Sequence, residues 1–393
     1  MYTHIKIVNV NAATLCVNKE FAFSGTSILP FSQIDLVKTS LSEEVIQLIN
    51  NFVIDNSQHA AAAVRITAML TYINTVKNNL FSEKQNYGDR MLVCFIAPEY
   101  FFKPGIDQQC HSENRPNVYQ DNIAEKIYNI LIEAIELMHN DLQEWLLVLG
   151  TILSETHNAS PVIYVGNKSN NLAHKQQNYN VFHDLFFKQT ISFFDTKLLL
   201  QGLDCFNNVK RYNNSADSLS RIRIADLKIY LDISSDSIRG NIRQIYCNNM
   251  NLFSKGFDIY IFISGSNIYL PREARYMMKS NGYMISNNGL VSILSTENYN
   301  NMEEVYEVYH EKKSPTYTKI IAGMNFDQRF STKKLIGLNK TKIKIPFAYN
   351  KINQLNFVYI YDSVMTRKVL YESLQPCIKQ SIRPLHIMNG LKV

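Results

Sequence analysis

Three polar residues stand where apolar, strand-like runs of the chain end. Glu99 follows "MLVCFIAP" (Met91 to Pro98), Lys197 lies between aromatic and aliphatic residues in "SFFDTKLLL", and Ser234 ends "YLDIS". A carboxylate can act as a general base, a lysine as a buried cation and a serine as a nucleophile. Active sites of α/β folds collect at the carboxyl ends of strands, so this placement predicts an active site.

Each of these residues also has a plainer interpretation. Glu99 is flanked by Pro98 and three aromatic residues, and desolvation there is expected to raise the carboxyl pKa, which suits a base near neutral pH. The plainer interpretation is that Glu99 is a surface glutamate at the end of a strand. Lys197 is either a snorkelling side chain at the core edge or a buried cation with a partner. Ser234 lacks the G-x-S-x-G pattern and has no histidine nearby, so a Ser-His-Asp triad has little support.

The elements around these residues alternate between strands and helices. A first strand is predicted over Ile5 to Asn11, and "HAAAAVRITAMLTYINTVKNNL" has the spacing of an amphipathic helix. A second helix is predicted over Tyr119 to Leu142, before a buried strand at Trp145 to Thr151. This order predicts an α/β fold. Residues 22–56 are interpreted as an insertion with one helix near Glu43 to Phe52, and the periodicity weakens after about Asn298.

The motifs together resemble the carbon–nitrogen hydrolase (nitrilase) superfamily, whose catalytic set is Glu, Lys and Cys. "APEYF" is similar to the family's strand ending in Pro-Glu-aromatic. "VLGT" and "YNVFHDLFFKQTISFFDTKLL" resemble its middle motif, with Asn180 and Lys197 at the usual separation. "DISSD" is similar to its Ile-Cys-x-Asp strand end, and "KGFDIYIFIS" and "REARYMMKSNGYMISNNG" resemble the segments after it. The resemblance covers about Ile5 to Leu294.

This resemblance implies a four-layer α-β-β-α sandwich, with a hydrolase-like domain at 1–300 and a C-terminal extension at 301–393 that either belongs to that domain or stands apart. It implies Glu99 as the base, and Lys197 with the backbone N–H of Ser235 as oxyanion donors. Asp204 falls near the position of a second acidic residue that supports the lysine, and is otherwise a loop carboxylate. The family also implies a two-fold homodimer, a small amide or nitrile substrate and no cofactor.

The departure from the family is Ser234, which stands where the family has cysteine. A hydroxyl is a far weaker acid than a thiol, so the same base deprotonates it less readily. Three explanations stay open: a substitution made to block turnover, a natural protein that binds without cleaving, or serine acting with an altered base. The leading hypothesis is an amidase-type hydrolase, and the alternative is a binding protein on an inactive scaffold, such as a bacterial effector with a protein partner.

Composition limits the other classes of function. The formal charge of +6 on 393 residues indicates a mildly basic surface, and the densest run, "NKTKIKI", alternates with apolar residues like a strand with a solvated face. We therefore expect no nucleic-acid partner. The six cysteines and nine histidines show no zinc-ligand or disulfide pattern, so no metal is expected. No signal peptide or membrane span is predicted, which favours a cytoplasmic protein.

Overall fold

The structure of the protein is a computed structural model. The described residues are 2–12, 15–16, 30–87, 90–104, 118–166, 181–188, 221–233, 257–264, 278–288, 290–291, 303–310, 330–334, 339–346 and 357–365.

Within these ranges the chain forms α-helices, short 3₁₀ turns and two large β-sheets. The α-helices are α1 (Glu43–Asp55), α2 (Ala60–Tyr87) and α3 (Asp121–Leu137), and the 3₁₀ turns are Phe31–Gln33, Leu36–Thr39 and Ser57–His59. The strands up to the middle of the chain are β1 (His4–Asn11), β2 (Leu15–Cys16), β3 (Met91–Ala97), β4 (Trp145–Leu149), β5 (Ile152–Leu153), β6 (Asn158–Val165), β7 (Val181–Phe187), β8 (Arg221–Ile224) and β9 (Leu227–Ile233). The later strands are β10 (Phe257–Ser264), β11 (Met278–Asn288), β12 (Leu290–Val291), β13 (Glu303–His310), β14 (Phe330–Lys334), β15 (Lys340–Lys344), β16 (Phe357–Tyr361) and β17 (Val364–Met365).

The first sheet has a parallel centre and antiparallel flanks. Its strand order is β15-β16-β1-β3-β4-β6-β5, with β17 paired to β1 and β7 paired to β6. Strands β1, β3 and β4 are parallel neighbours, and α2 and α3 lie between them in sequence. Every residue of β3 and β4 is buried, as expected for parallel strands covered on both faces.

The second sheet repeats this arrangement. Its order is β14-β13-β11-β10-β9-β8, and β9, β10 and β11 are parallel. Strands β8 and β13 flank this centre in antiparallel pairing. Strands β8 and β9 form an antiparallel hairpin, with Ile224 paired to Leu227 next to the turn. Strands β2 and β12 form a separate two-stranded ladder.

Two hydrophobic layers hold these elements together. Alternate residues of β1, β3 and β4 pack against alternate residues of β9, β10 and β11, so the sheets lie face to face; Ile7, Ile96, Leu231 and Ile261 belong to this layer. On its other face the first sheet is covered by the helices, with Val45, Ile66 and Leu131 in the second layer. The described residues therefore form an α/β protein in which helices, the first sheet and the second sheet are stacked in that order. The fourth layer of the expected sandwich stays a prediction.

Helix α2 differs from the amphipathic helix predicted for it. Residues 62–74 are buried without interruption, including Arg65, Thr67 and Thr71. The reason is that α2 contacts the first sheet while α1 and α3 lie against it, so its first half has no solvent-facing side. The two threonines donate their hydroxyls to the carbonyls four residues earlier, at 2.8 and 2.7 Å, which satisfies these buried polar groups.

Helix α1 confirms the helix predicted near Glu43 to Phe52. Ser42 caps it by accepting the N–H of Val45. Val45, Ile49 and Phe52 are buried in the helical layer, so this helix belongs to the core.

The strands after residue 301 join both sheets. Strand β16 pairs with β1, and β13 pairs with β11. Tyr283 of the second sheet donates to the carbonyl of Met365 in β17 at 2.8 Å. Strand β15, in the lysine-rich run, is an exposed edge strand, which confirms a strand with a solvated face. Its lysines suit an edge that must not pair with other chains.

Candidate active site

Glu99 lies at the carboxyl end of β3 and is completely buried. The residue after it, Tyr100, has a left-handed backbone with φ of 61°, which is unusual for a bulky side chain. Its N–H donates to the hydroxyl of Thr151 at 2.8 Å, and the N–H of Phe102 donates to the carbonyl of Thr151 at 3.0 Å. The "VLGT" segment therefore fixes the turn that carries Glu99.

Gly150 makes this close approach between the two strand ends possible. Its φ is +77°, and a Cβ atom there would come within 2.8 Å of the Cβ of Phe101 and closer still to the carbonyl oxygen of Pro98. A side chain at this position would push the turn away, and an L-residue would also be strained by the positive φ.

Lys188 and Asn158 both bind the carboxylate of Glu99. Lys188 Nζ lies 2.6 Å from Glu99 Oε1, with side chains exposed by 2% and 0%. Asn158 Nδ2 donates to the same oxygen at 3.1 Å. The backbone N–H of Lys188 donates to the carbonyl of Asn158 at 2.8 Å, so the first residue of β6 and the residue after β7 are held together. Both side-chain contacts favour the charged carboxylate, which opposes the effect of burial.

Tyr100 adds a second contact to the lysine. Lys188 Nζ lies 3.4 Å from the Tyr100 hydroxyl and 5.4 Å from the centre of its ring. An ammonium over an aromatic face is stabilised by the ring quadrupole. Glu99, Tyr100, Asn158 and Lys188 thus form one buried cluster, which we call the Glu99 cluster.

The second sheet ends at the same edge of the sandwich. Asn287 of β11 donates to the carbonyl oxygens of Ile96 and Val10, at 2.9 and 3.1 Å, which links it to the ends of β3 and β1. Asn287 is in register with Ile263 of β10, and Ile263 with Ile233 of β9. Ile233 is therefore two strand spacings, or about 10 Å, from Asn287 along the sheet. The described part of β9 ends on the side where Glu99 lies.

The last residues of β9 contain a buried carboxylate. Asp232 is 3% exposed. Its Oδ2 accepts the hydroxyl of Tyr260 at 2.7 Å, and its Oδ1 accepts the N–H of Ile233 at 3.0 Å. Asp232 lies on the face of the second sheet that points away from the first, because Leu231 and Ile233 point between the sheets.

The predicted site residues have different outcomes. Glu99 is at a buried strand end, as expected, whereas Lys197, Asp204, Ser234 and Ser235 lie outside the described residues, as does Asn180. Their roles stay predictions.

Sequence analysis missed Lys188 and Asn158. The signal that points to them is their place in the hairpin after "VLGT": Asn158 starts its first strand, and Lys188 follows its second.

Two other reactive-looking groups are explained by the structure. Ser154, Thr156 and Asp121 all approach the Nδ1 atom of His157, at 3.0, 3.0 and 3.8 Å. A Ser-His-Asp relay needs both ring nitrogens, so this group anchors the turn before β6. Cys94 is buried in the layer between the sheets, and burial raises the pKa of its thiol to about 12, so it is a core residue.

No metal cluster or membrane helix is found in the described ranges. These residues include no group of three or more His, Cys, Asp and Glu side chains that could hold a metal ion. Nor does this part of the chain contain a helix long and apolar enough to cross a membrane.

Comparison with known proteins gives similarities to solved structures alone. No family model and no curated protein matches the chain. Similar structures include Nit3 of Saccharomyces cerevisiae, a member of branch 10 of the nitrilase superfamily (12% identity, 99% of this chain and 97% of that one, TM-score 0.36). A second is a carbon–nitrogen hydrolase from Helicobacter pylori G27 (10% identity, 99% of this chain and 98% of that one, TM-score 0.37). A third is an amidase from Nesterenkonia sp. (10% identity, 78% of this chain and 82% of that one, TM-score 0.34). These proteins are of the class that the motifs resemble, but TM-scores below 0.5 carry no conclusion about this chain.

Proposed function

We propose that this chain has the active site of an amidase-type hydrolase that acts on a non-peptide carbon–nitrogen bond. The observation that carries this proposal is the buried pair of Glu99 and Lys188 at the end of β3. A completely buried carboxylate held by an ammonium at a strand end is costly for stability, and such pairs are typical of sites with acid–base work to do.

In the proposed reaction, Glu99 takes the proton of the nucleophile at position 234 as it attacks the amide carbon. The carbonyl π electrons move to oxygen, and Lys188 and the N–H of Ser235 stabilise that oxyanion. The C–N bond breaks, and the amine leaves with the proton from Glu99. Water, deprotonated by Glu99, then attacks the acyl group and releases the acid, and the proton returns to the nucleophile. Because Glu99 becomes neutral when it takes the proton, the positive charge of Lys188 is then available to stabilise the oxyanion.

In this proposal Lys188 takes the role that the sequence motif suggested for Lys197. Its support is the 2.6 Å contact with Glu99, whereas the support for Lys197 is its spacing from Asn180. Asp204 remains the proposed carboxylate that supports the lysine. Position 234 follows Ile233 directly in the sequence, and Ile233 ends the described part of β9 at the edge where Glu99 lies.

The test uses the Ser234→Cys variant with a mixed panel of small amides and nitriles. We expect a covalent acyl adduct on residue 234, detected by mass spectrometry, because a thiol with a pKa near 8.5 is far easier to deprotonate than an alcohol. Glu99→Gln in this background should abolish the adduct. Neither adduct nor turnover across the panel would contradict the hydrolase and favour a binding protein.

Lys188→Ala and Lys197→Ala form a matched pair in the same background. Loss of an oxyanion donor lowers the rate of acylation by about 10²–10³, and we expect this loss for Lys188→Ala alone. A loss confined to Lys197→Ala would restore the motif-based assignment and leave Lys188 as a structural partner of Glu99.

A further inference from the structure

The geometry points to His157 as a positioning residue for the Glu99 cluster. Its ring fixes the end of the β6–β7 hairpin, from which Asn158 Nδ2 and Lys188 Nζ reach the carboxylate at 3.1 and 2.6 Å. This inference rests on the proposed function, since it takes Glu99 and Lys188 as the reacting pair. His157 precedes Asn158 directly, and Phe187 precedes Lys188 directly. These two preceding residues also meet, because the rings of His157 and Phe187 make an edge contact with centres 5.3 Å apart.

The ring contact and the contacts with Glu99 occupy opposite faces of the hairpin. Phe187 belongs to the last pair of the β6–β7 ladder, and just beyond it the N–H of Lys188 donates to the carbonyl of Asn158 at 2.8 Å. Successive side chains of a strand point to opposite faces, so His157 and Phe187 meet on the face away from Glu99. A diagonal pair of rings at this place restrains the pairing at the end of the ladder, and with it the position of Lys188 Nζ.

Hydrogen bonds hold the ring of His157 against Phe187. The Nδ1 atom of His157 lies 3.0 Å from the hydroxyl of Ser154 and 3.0 Å from that of Thr156. The backbone N–H of Ser154 donates to the carbonyl of His157 at 2.8 Å, which closes the turn between β5 and β6. Thr156 donates its hydroxyl to Asp121 Oδ2 at 2.8 Å, so the turn is fixed to the first residue of α3. Because the ring is restrained in this way, it transmits the position of the turn to Phe187.

The consequence is that the ring contact protects the ammonium of Lys188 from solvent. The side chain of Lys188 is 2% exposed, so a reagent in water reaches it when the end of the hairpin opens locally. Lys6 is a matched comparison, because its side chain is 6% exposed and its Nζ lies 2.7 Å from Glu83 Oε2. It lies on β1, which is three positions from β6 in the first sheet. Loss of the contact between His157 and Phe187 should therefore expose Lys188 and leave Lys6 protected.

The experiment measures how fast individual lysines are acetylated in the folded protein. The whole chain is treated with N-hydroxysuccinimidyl acetate at mildly alkaline pH, and mass spectrometry quantifies the peptides that contain Lys188, Lys6 and the exposed Lys342 of β15. His157→Asn removes the ring but keeps a polar group near the position of Nδ1, and Phe187→Leu removes the other ring but stays apolar. We expect either variant to accelerate the acetylation of Lys188 by about three- to tenfold, the factor by which an aromatic pair shifts a local opening equilibrium. Lys6 should change by less than about twofold, and circular dichroism checks that each variant is folded.

The double variant tests whether the effect passes through the two rings. Because His157→Asn and Phe187→Leu break the same contact, their combination should accelerate the acetylation of Lys188 no more than the stronger single variant does. Independent effects would instead multiply.

Three results would overturn the inference. The first is an unchanged rate for Lys188 in the two folded single variants, and the second is an equal acceleration of Lys6, which would show general loosening of the protein. The third is single effects that multiply in the double variant. Failure of the proposed function is seen separately, in the assay for a covalent adduct, because acetylation rates need no substrate. Acetylation of Lys188 as fast as that of Lys342 in the unchanged protein would contradict the buried ion pair, on which both proposals depend.

Discussion

Removing Lys188 should destabilise the protein because it leaves the carboxylate of Glu99 buried without its ammonium. The two side chains are 2% and 0% exposed, and breaking such a pair by removing one partner costs about 3–5 kcal/mol. The entropy of unfolding near 60 °C is about 2.1 cal/mol/K per residue, or roughly 0.8 kcal/mol/K over the 393 residues of this chain, so Lys188→Met should lower Tm by about 4–6 °C.

A double-mutant cycle separates the ion pair from simple loss of packing. Glu99→Gln alone leaves a buried ammonium and should also destabilise the protein, but Glu99→Gln with Lys188→Met removes both charges. Replacing both members of a buried pair is often neutral or stabilising. We therefore expect the double variant to be more stable than the sum of the single effects by more than about 1 kcal/mol.

Lys197→Met is the control for this measurement, made by differential scanning calorimetry at neutral pH. It has the same change in charge and size, and we expect it to lower Tm by less than Lys188→Met does. Additive single effects, or a Lys188→Met variant that unfolds at the Tm of the unchanged protein, would refute the buried ion pair.

Other parts of the described structure predict effects that are independent of the ion pair. Gly150→Ala should destabilise the protein by about 1–3 kcal/mol, from its positive φ and the contact with Phe101; an unchanged urea midpoint would contradict this. Cys94, with a thiol pKa raised to about 12 by burial, should resist alkylation near neutral pH until the protein is unfolded, as peptide mapping can show. Burial lowers the pKa of His157 in the folded protein, so the unfolded state binds a proton at this residue first as the pH falls. The free energy of unfolding should therefore decrease below about pH 6.5. The decrease should be smaller in His157→Gln.

Much of the first sheet could be predicted from apolar runs. Strand β3 and the placement of Glu99 at its end follow from "MLVCFIAPE", since a continuous apolar run of this length suits a parallel strand buried on both faces. The pairing of β16 with β1 could not be predicted in this way, because Val10 is in register with Val358, near the other end of the chain. Nothing in a local pattern specifies a partner so distant.

The lysine that contacts Glu99 could not be identified from the spacing of residues in the sequence motif. Asn180 and Lys197 have the separation that the family motif suggests, but the hairpin that reaches Glu99 begins at Asn158 and ends before Lys188. Strand β7 has mixed burial rather than clean alternation, so its register could not be derived from the sequence. The burial of the first half of α2 on all sides could not be predicted from the sequence either, because it depends on α1 and α3.

The most direct test of the central claim is a crystal structure of the protein that gives the distances from Ser234 to Glu99 and Lys188. We predict that the Ser234 hydroxyl lies about 3–6 Å from the Glu99 carboxylate and Lys188 Nζ, within the reach of a proton relay that tightens when substrate binds. A hydroxyl more than about 12 Å from both groups, too far for such a relay, would contradict this claim, as would a structure in which Lys197 rather than Lys188 contacts Glu99.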